Sequence, residues 1–130
     1  MSSKWLNPNT RLAIILRDDS CCAYCGTAVE DGARLTVDHI MPRALGGDNS
    51  KQNLVTCCSE CNETKGDMHP DQWFVQFDES VAWRVWQCVG KDIKPLRKQA
   101  REMLHNRSIA QFTGNREYAE YGGMNGNSRL

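Results

Sequence analysis

Two cysteine pairs, Cys22-Ala23-Tyr24-Cys25 and Cys58-Ser59-Glu60-Cys61, each set two thiols on one short turn. Four soft sulfur ligands in two such pairs suit one tetrahedral zinc, with Zn–S bonds of about 2.3 Å. Seven cysteines is an odd count, and the opening residues Met1 to Pro8 lack the apolar core of an export signal. Both facts argue for reduced thiols and a metal over a disulfide framework. The register has two solutions, because Cys21 and Cys57 adjoin the pairs and also give workable spacings. Cys22 and Cys58 are preferred, since Gly26 after Cys25 suits a zinc-knuckle turn; Cys21, Cys57 and Cys88 are then structural. A structural zinc contributes roughly 10–16 kcal/mol of apparent binding energy, against a net domain stability of ~5–15 kcal/mol. The core is therefore expected to unfold without it. Four protein sulfurs leave no open coordination position, so bond-breaking chemistry must lie elsewhere.

The residues that could carry such chemistry are Asp38, His39, Asn53 and Asn62. Phosphodiester hydrolysis needs a base for water, a hard divalent cation on oxygen ligands, and a group that orients the base. These four side chains supply all three. Singly, each has a plainer reading: Asp38 pairing with Arg34 or Arg43, His39 on the surface, Asn53 in a turn, Asn62 bonding locally on a helix. Lys65 suits a phosphate or a solvent-facing position equally, and His69 and His105 fall outside the group.

The elements that must position them follow from pattern. Residues 8–19 read as a helix with Leu12, Ile15 and Leu16 on one face. Arg34 to Ile40 alternates and is β-branched, which predicts a strand. Pro42 and Gly46-Gly47 make 41–51 a loop, Asn53 to Thr56 returns as a second strand, and Ser59 to Thr64 forms a short helix stopped at Gly66. The unit is strand, loop, strand, helix. From Trp73 to Val89 nine large apolar residues crowd together and are expected to cover the metal core. Asp92 to Arg107 carries Ile93, Leu96, Ala100, Met103 and Leu104 at helical spacing behind Pro95. Residues 113–130 are polar and glycine-rich, expected to form a flexible tail. One domain over 1–112 is expected, with a core at about 20–67 and a helical extension at about 70–112.

The chain has 130 residues, a single-domain size, with 16 basic and 16 acidic residues. The charge is unevenly spread. Residues 58–80 carry six acids (Glu60, Glu63, Asp67, Asp71, Asp78, Glu79) against Lys65. Residues 84–107 carry seven bases (Arg84, Lys91, Lys94, Arg97, Lys98, Arg101, Arg107) against Asp92 and Glu102. A basic helical face is implied, either an ordinary solvated surface or a phosphate contact. No apolar run approaches the roughly 18 residues of a membrane span. An intracellular, cytoplasmic protein is expected.

The ordered text Cys22-x-x-Cys25-Gly26, Val37-Asp38-His39-Ile40-Met41-Pro42-Arg43-Ala44-Leu45-Gly46-Gly47, Asn53-Leu54-Val55-Thr56 and Cys58-x-x-Cys61-Asn62-x-x-Lys65-Gly66 resembles the zinc-knuckle group of the HNH endonuclease family over about residues 10–67. The resemblance implies an α+β fold: a ββα-metal (His-Me finger) core with a four-cysteine zinc site and flanking helices. It implies that His39 is the general base, that Asp38 ligates a catalytic Mg²⁺ or Mn²⁺, and that Asn53 orients the imidazole through its side chain or its carbonyl. Asn62 stands where the family has its final His, making a His-Asn-Asn variant like those in the HNH domains of RNA-guided DNA nucleases. An amide oxygen there still suits a hard cation.

The implied activity is metal-dependent DNA endonuclease chemistry, nicking or cutting both strands, in a phage or mobile-element setting and hence in a host cytoplasm. A homodimer or a phage packaging partner is left open. The alternative is a catalytically silent, zinc-stabilised nucleic-acid-binding module.

Overall fold

A computed structural model of the chain describes residues 5–106; the expected tail at 113–130 lies outside the described residues. Helix α1 (Pro8–Arg17) begins where the Asn7 side chain accepts a hydrogen bond from the Asn9 N–H, with Pro8 in the first turn. It buries Leu12, Ala13, Ile14 and Ile15. Its end is pinned by a buried ion pair, Arg17 to Asp18 at 2.7 Å. Asp18 also accepts from the Thr56 N–H at 2.8 Å, and Arg17 donates to the Leu54 carbonyl at 2.7 Å. The pair is thus fully hydrogen-bonded, as a buried charge requires.

Strands β1 (Leu35–His39) and β2 (Leu54–Cys58) form a two-stranded antiparallel sheet, with His39 opposite Leu54 and Leu35 opposite Cys58. Four residue steps of about 3.4 Å separate the two ends by roughly 14 Å. Helix α2 (Ser59–Lys65) leaves the Cys58 end and folds back over the sheet, so that Lys65 reaches the His39 end. Gly66 closes α2 at φ 52° and ψ −129°, a backbone conformation that a side chain would strain. This strand, loop, strand, helix order is the ββα unit expected from the sequence. The second strand starts one residue later than expected, because Asn53 ends a 3-10 turn and its side chain is engaged in the loop.

Helices α3 (Pro70–Phe74), α4 (Ser80–Val89) and α5 (Lys94–His105) follow. Trp73, Val81, Val85 and Val89 are buried, but Val75, Trp83 and Trp86 are exposed, so the apolar stretch covers the core only in part. The cause is helical period: Val81, Val85 and Cys88 share the inner face of α4, which leaves Trp83 and Trp86 outside. Helix α5 lies against α1 and buries Ala100, with Ile93 buried just before its start, while Lys94, Arg97, Lys98 and Arg101 are exposed. Arg84 does not join that basic face; it donates to the Ala23 and Tyr24 carbonyls at 3.0 and 2.9 Å and ties α4 to the knuckle. Among the described residues no helix is long and apolar enough to cross a membrane.

Candidate active site and metal centre

The sulfurs of Cys22, Cys25, Cys58 and Cys61 lie within 4.8 Å of one another. A tetrahedron with 2.3 Å bonds has edges of about 3.8 Å, and the Cys25 and Cys58 sulfurs are 3.8 Å apart. The Cys25 N–H points to the Cys22 sulfur at 3.5 Å and the Cys61 N–H to the Cys58 sulfur at 3.4 Å. Such bonds stabilise thiolates, so this donor set fits zinc, and the register is the one built on Cys22 and Cys58. Cys57 is buried in β2 and donates to the Cys58 carbonyl at 3.2 Å; Cys21 bonds the Asp19 carbonyl. The hydrogen bonds from Cys57 and Cys58 hold the Cys22 thiol far below its ordinary range, and burial pushes Cys61 up to about 12.

At the other end of the sheet Asp38 is 9% exposed. Its Oδ2 accepts from the Tyr24 hydroxyl at 2.8 Å and sits 3.1 Å from the Lys65 ammonium. Burial raises its carboxyl above the ordinary value, against the lowering pull of Lys65 and the Tyr24 hydrogen bond. Lys65 is itself buried, and its Nζ also donates to the His39 carbonyl at 2.9 Å. It therefore faces neither solvent nor a phosphate, as the sequence suggested, but clamps β1. Tyr24 reaches Asp38 because its ring is wedged edge-on against Trp73, with centroids 5.4 Å apart.

His39 ends β1 with its ring half-buried, its Nε2 2.7 Å from Asn49 Oδ1 and its face 4.6 Å from the Trp5 ring. Asn53 contacts the loop instead of the imidazole: Oδ1 accepts from the Met41 N–H at 2.8 Å, and Nδ2 donates to the Met41 and Asp48 carbonyls at 3.0 and 2.9 Å. Its own carbonyl accepts from the Ile40 N–H at 2.8 Å. Asn62 is exposed on α2, three residues before the buried Lys65. Lys65 thus ties the Asp38 carboxylate to the His39 backbone, while the His39 imidazole lies with Asn49 and Trp5, Asn62 stands exposed on α2, and Asn53 lies beneath the loop. Sequence reasoning passed over Tyr24, Asn49 and Trp5. Only Tyr24, caught between two cysteines of the cluster, carried a local signal.

Residues 22–78 match the model of the HNH endonuclease family. Over 57 residues, or 43% of its length, the chain is 40% identical to the CRISPR-associated endonuclease Cas9 of Corynebacterium diphtheriae, covering 5% of that protein. Over 118 residues it is 23% identical to the CRISPR-associated endonuclease Cas9 1 of Streptococcus thermophilus, covering 85% of this chain and 10% of that one. The chain spans a tenth or less of the length of these relatives. The matches support a nuclease function.

Proposed function

We propose, with residues 22–78 placed in the HNH endonuclease family as the premise, that this chain is a metal-dependent endonuclease that hydrolyses DNA phosphodiester bonds. One arrangement supports the reading: consecutive residues at the end of β1 carry a carboxylate held by a buried lysine and an imidazole held by Asn49, with Asn62 three residues before that lysine on α2. His39 takes a proton from water as the O–H bond breaks. The resulting hydroxide adds to phosphorus, the P–O3′ bond breaks, and the leaving oxygen takes a proton from solvent. Asp38 and Asn62 are the oxygen donors suited to a divalent cation. Among the described residues the contacts of Asp38 with Tyr24 and Lys65 both fall on Oδ2, which keeps Oδ1 for a cation. Mg²⁺ or Mn²⁺, when bound there, would offset charge on the scissile phosphate and the leaving oxygen. The cysteine-bound zinc builds the scaffold, and the exposed Lys94, Arg97, Lys98 and Arg101 suit the DNA backbone.

The test is supercoiled plasmid incubated with zinc-loaded protein and Mg²⁺, Mn²⁺ or no added divalent ion. Nicking that requires the added ion and is lost in His39→Ala is the expected result. Binding without cleavage in either metal overturns it in favour of a silent nucleic-acid-binding module. A phage or mobile-element setting and a cytoplasmic location belong to the same reading, which does not choose between a homodimer and a packaging partner; one active site per chain makes nicking the elementary event.

A further inference from the structure

We propose that Asn49, in the loop between β1 and β2, is the positioning residue that holds the His39 imidazole with Nε2 protonated and Nδ1 as the basic nitrogen. The inference deepens the nuclease reading and rests on it for its catalytic meaning. The Asn49 amide oxygen is 2.7 Å from Nε2. An amide oxygen can only accept, so Nε2 carries the hydrogen, and a neutral imidazole then has its lone pair on Nδ1. Contact with Trp5, at 4.6 Å between centroids and 31° between planes, fixes the ring face while Asn49 fixes its edge.

The residues around Asn49 are anchored on both sides. The preceding Asp48 gives its carbonyl to Asn53 Nδ2 at 2.9 Å, and its carboxylate accepts from the Ser50 N–H and hydroxyl at 3.1 and 2.8 Å. The Gly47 N–H bonds the Pro42 carbonyl at 2.9 Å. A Cβ at Gly47 would lie 1.7 Å from the Met41 carbonyl oxygen, so only glycine permits this chain path. Asn53 has spent both amide hydrogens on Met41 and Asp48. It has none to give the imidazole, and it acts on His39 through the loop that presents Asn49. Two asparagines divide the work: one builds the loop, the other touches the ring.

The experiment reads the His39 ring directly. In ¹⁵N-labelled, zinc-loaded full-length protein, long-range ¹H–¹⁵N spectra distinguish the two neutral tautomers. His39 is assigned by its loss in His39→Ala. His69 is an internal control for fold, because its Nδ1 accepts from the Asp71 N–H at 3.0 Å. The wild type is expected to show the Nε2–H tautomer at His39, Asn49→Ala a tautomeric mixture, and Asn49→Asp, which keeps an acceptor, the wild-type state. In plasmid nicking, Asn49→Ala is expected to lower kcat by on the order of tenfold with KM unchanged, and Asn49→Asp to restore it. An Nδ1–H tautomer in the wild type, or an unchanged tautomer in Asn49→Ala, overturns the proposal. If the spectra agree and no variant or wild type cuts DNA, the positioning stands and the endonuclease reading falls.

Discussion

Replacing Lys65 by Met removes one charge from a buried pair while keeping most of the side-chain volume. The pair is separated by 3.1 Å, with the lysine side chain wholly buried and that of Asp38 10% exposed. At an effective dielectric of about 20 that distance gives a gross attraction of about 5 kcal/mol. Removal of one partner from a buried pair typically costs about 3–5 kcal/mol. Lys65→Met also frees the His39 carbonyl that Nζ now satisfies. We therefore expect a loss of about 3–5 kcal/mol at neutral pH, read from urea unfolding of the zinc-loaded protein. The sign with pH follows from Asp38, whose carboxyl is raised above its unfolded value of 3.8 by burial. A raised folded value means that ionised Asp38 subtracts from stability; the deficit is complete above the folded pKa and disappears below the unfolded one. Without Lys65 the carboxyl rises further, so the difference between variant and wild type should grow from acid to neutral pH. Adding Asp38→Asn to Lys65→Met should return much of the loss, because a neutral amide needs no cation. A loss under about 1 kcal/mol, or no recovery in the double variant, would refute the claim that charge pairing holds this end of β1.

Three further outcomes are expected. Cys58→Ser should lose the zinc and its cooperative unfolding transition, whereas Cys21→Ser should keep one zinc per chain by elemental analysis; zinc loss in Cys21→Ser would contradict the register. Gly47→Ala should cost about 1–3 kcal/mol by thermal unfolding, since its Cβ would be 1.7 Å from a backbone oxygen, and a change below about 0.5 kcal/mol would count against the close approach. Asn53→Ala should speed hydrogen exchange at the Met41 amide, which donates to Asn53 Oδ1, and unchanged exchange would disprove that anchor.

The cysteine frame and the two strands could be read from the sequence because their signals are local: ligand spacing on a turn, and alternation within a short run. The destinations of long side chains could not. Lys65 looks like any basic residue closing a helix, and its burial depends on α2 folding back across the sheet. The identity of Asn53 stood out, but its contacts with Met41 and Asp48 depend on a loop path that Gly47 alone permits. Asn49 is exposed in a polar stretch and resembles a turn residue until the ring of His39 is placed beside it. For α4, counting apolar residues misled where their period would have served: Trp83 and Trp86 fall on the face opposite Val81 and Val85.

Seven residues are too few for a stable isolated helix in water. Helix α2 is a splint held by its two fastenings, the sulfurs of Cys58 and Cys61 at its start and the Lys65 clamp at its finish. Asn62 rides between them. Stripping or oxidising the thiolates would let the splint fray and, on the proposed function, displace Asn62 even with magnesium in excess. On the proposed function, inhibition by a strong chelator would report two different ions at once, and only add-back of zinc and magnesium separately would tell the fastening from the reagent.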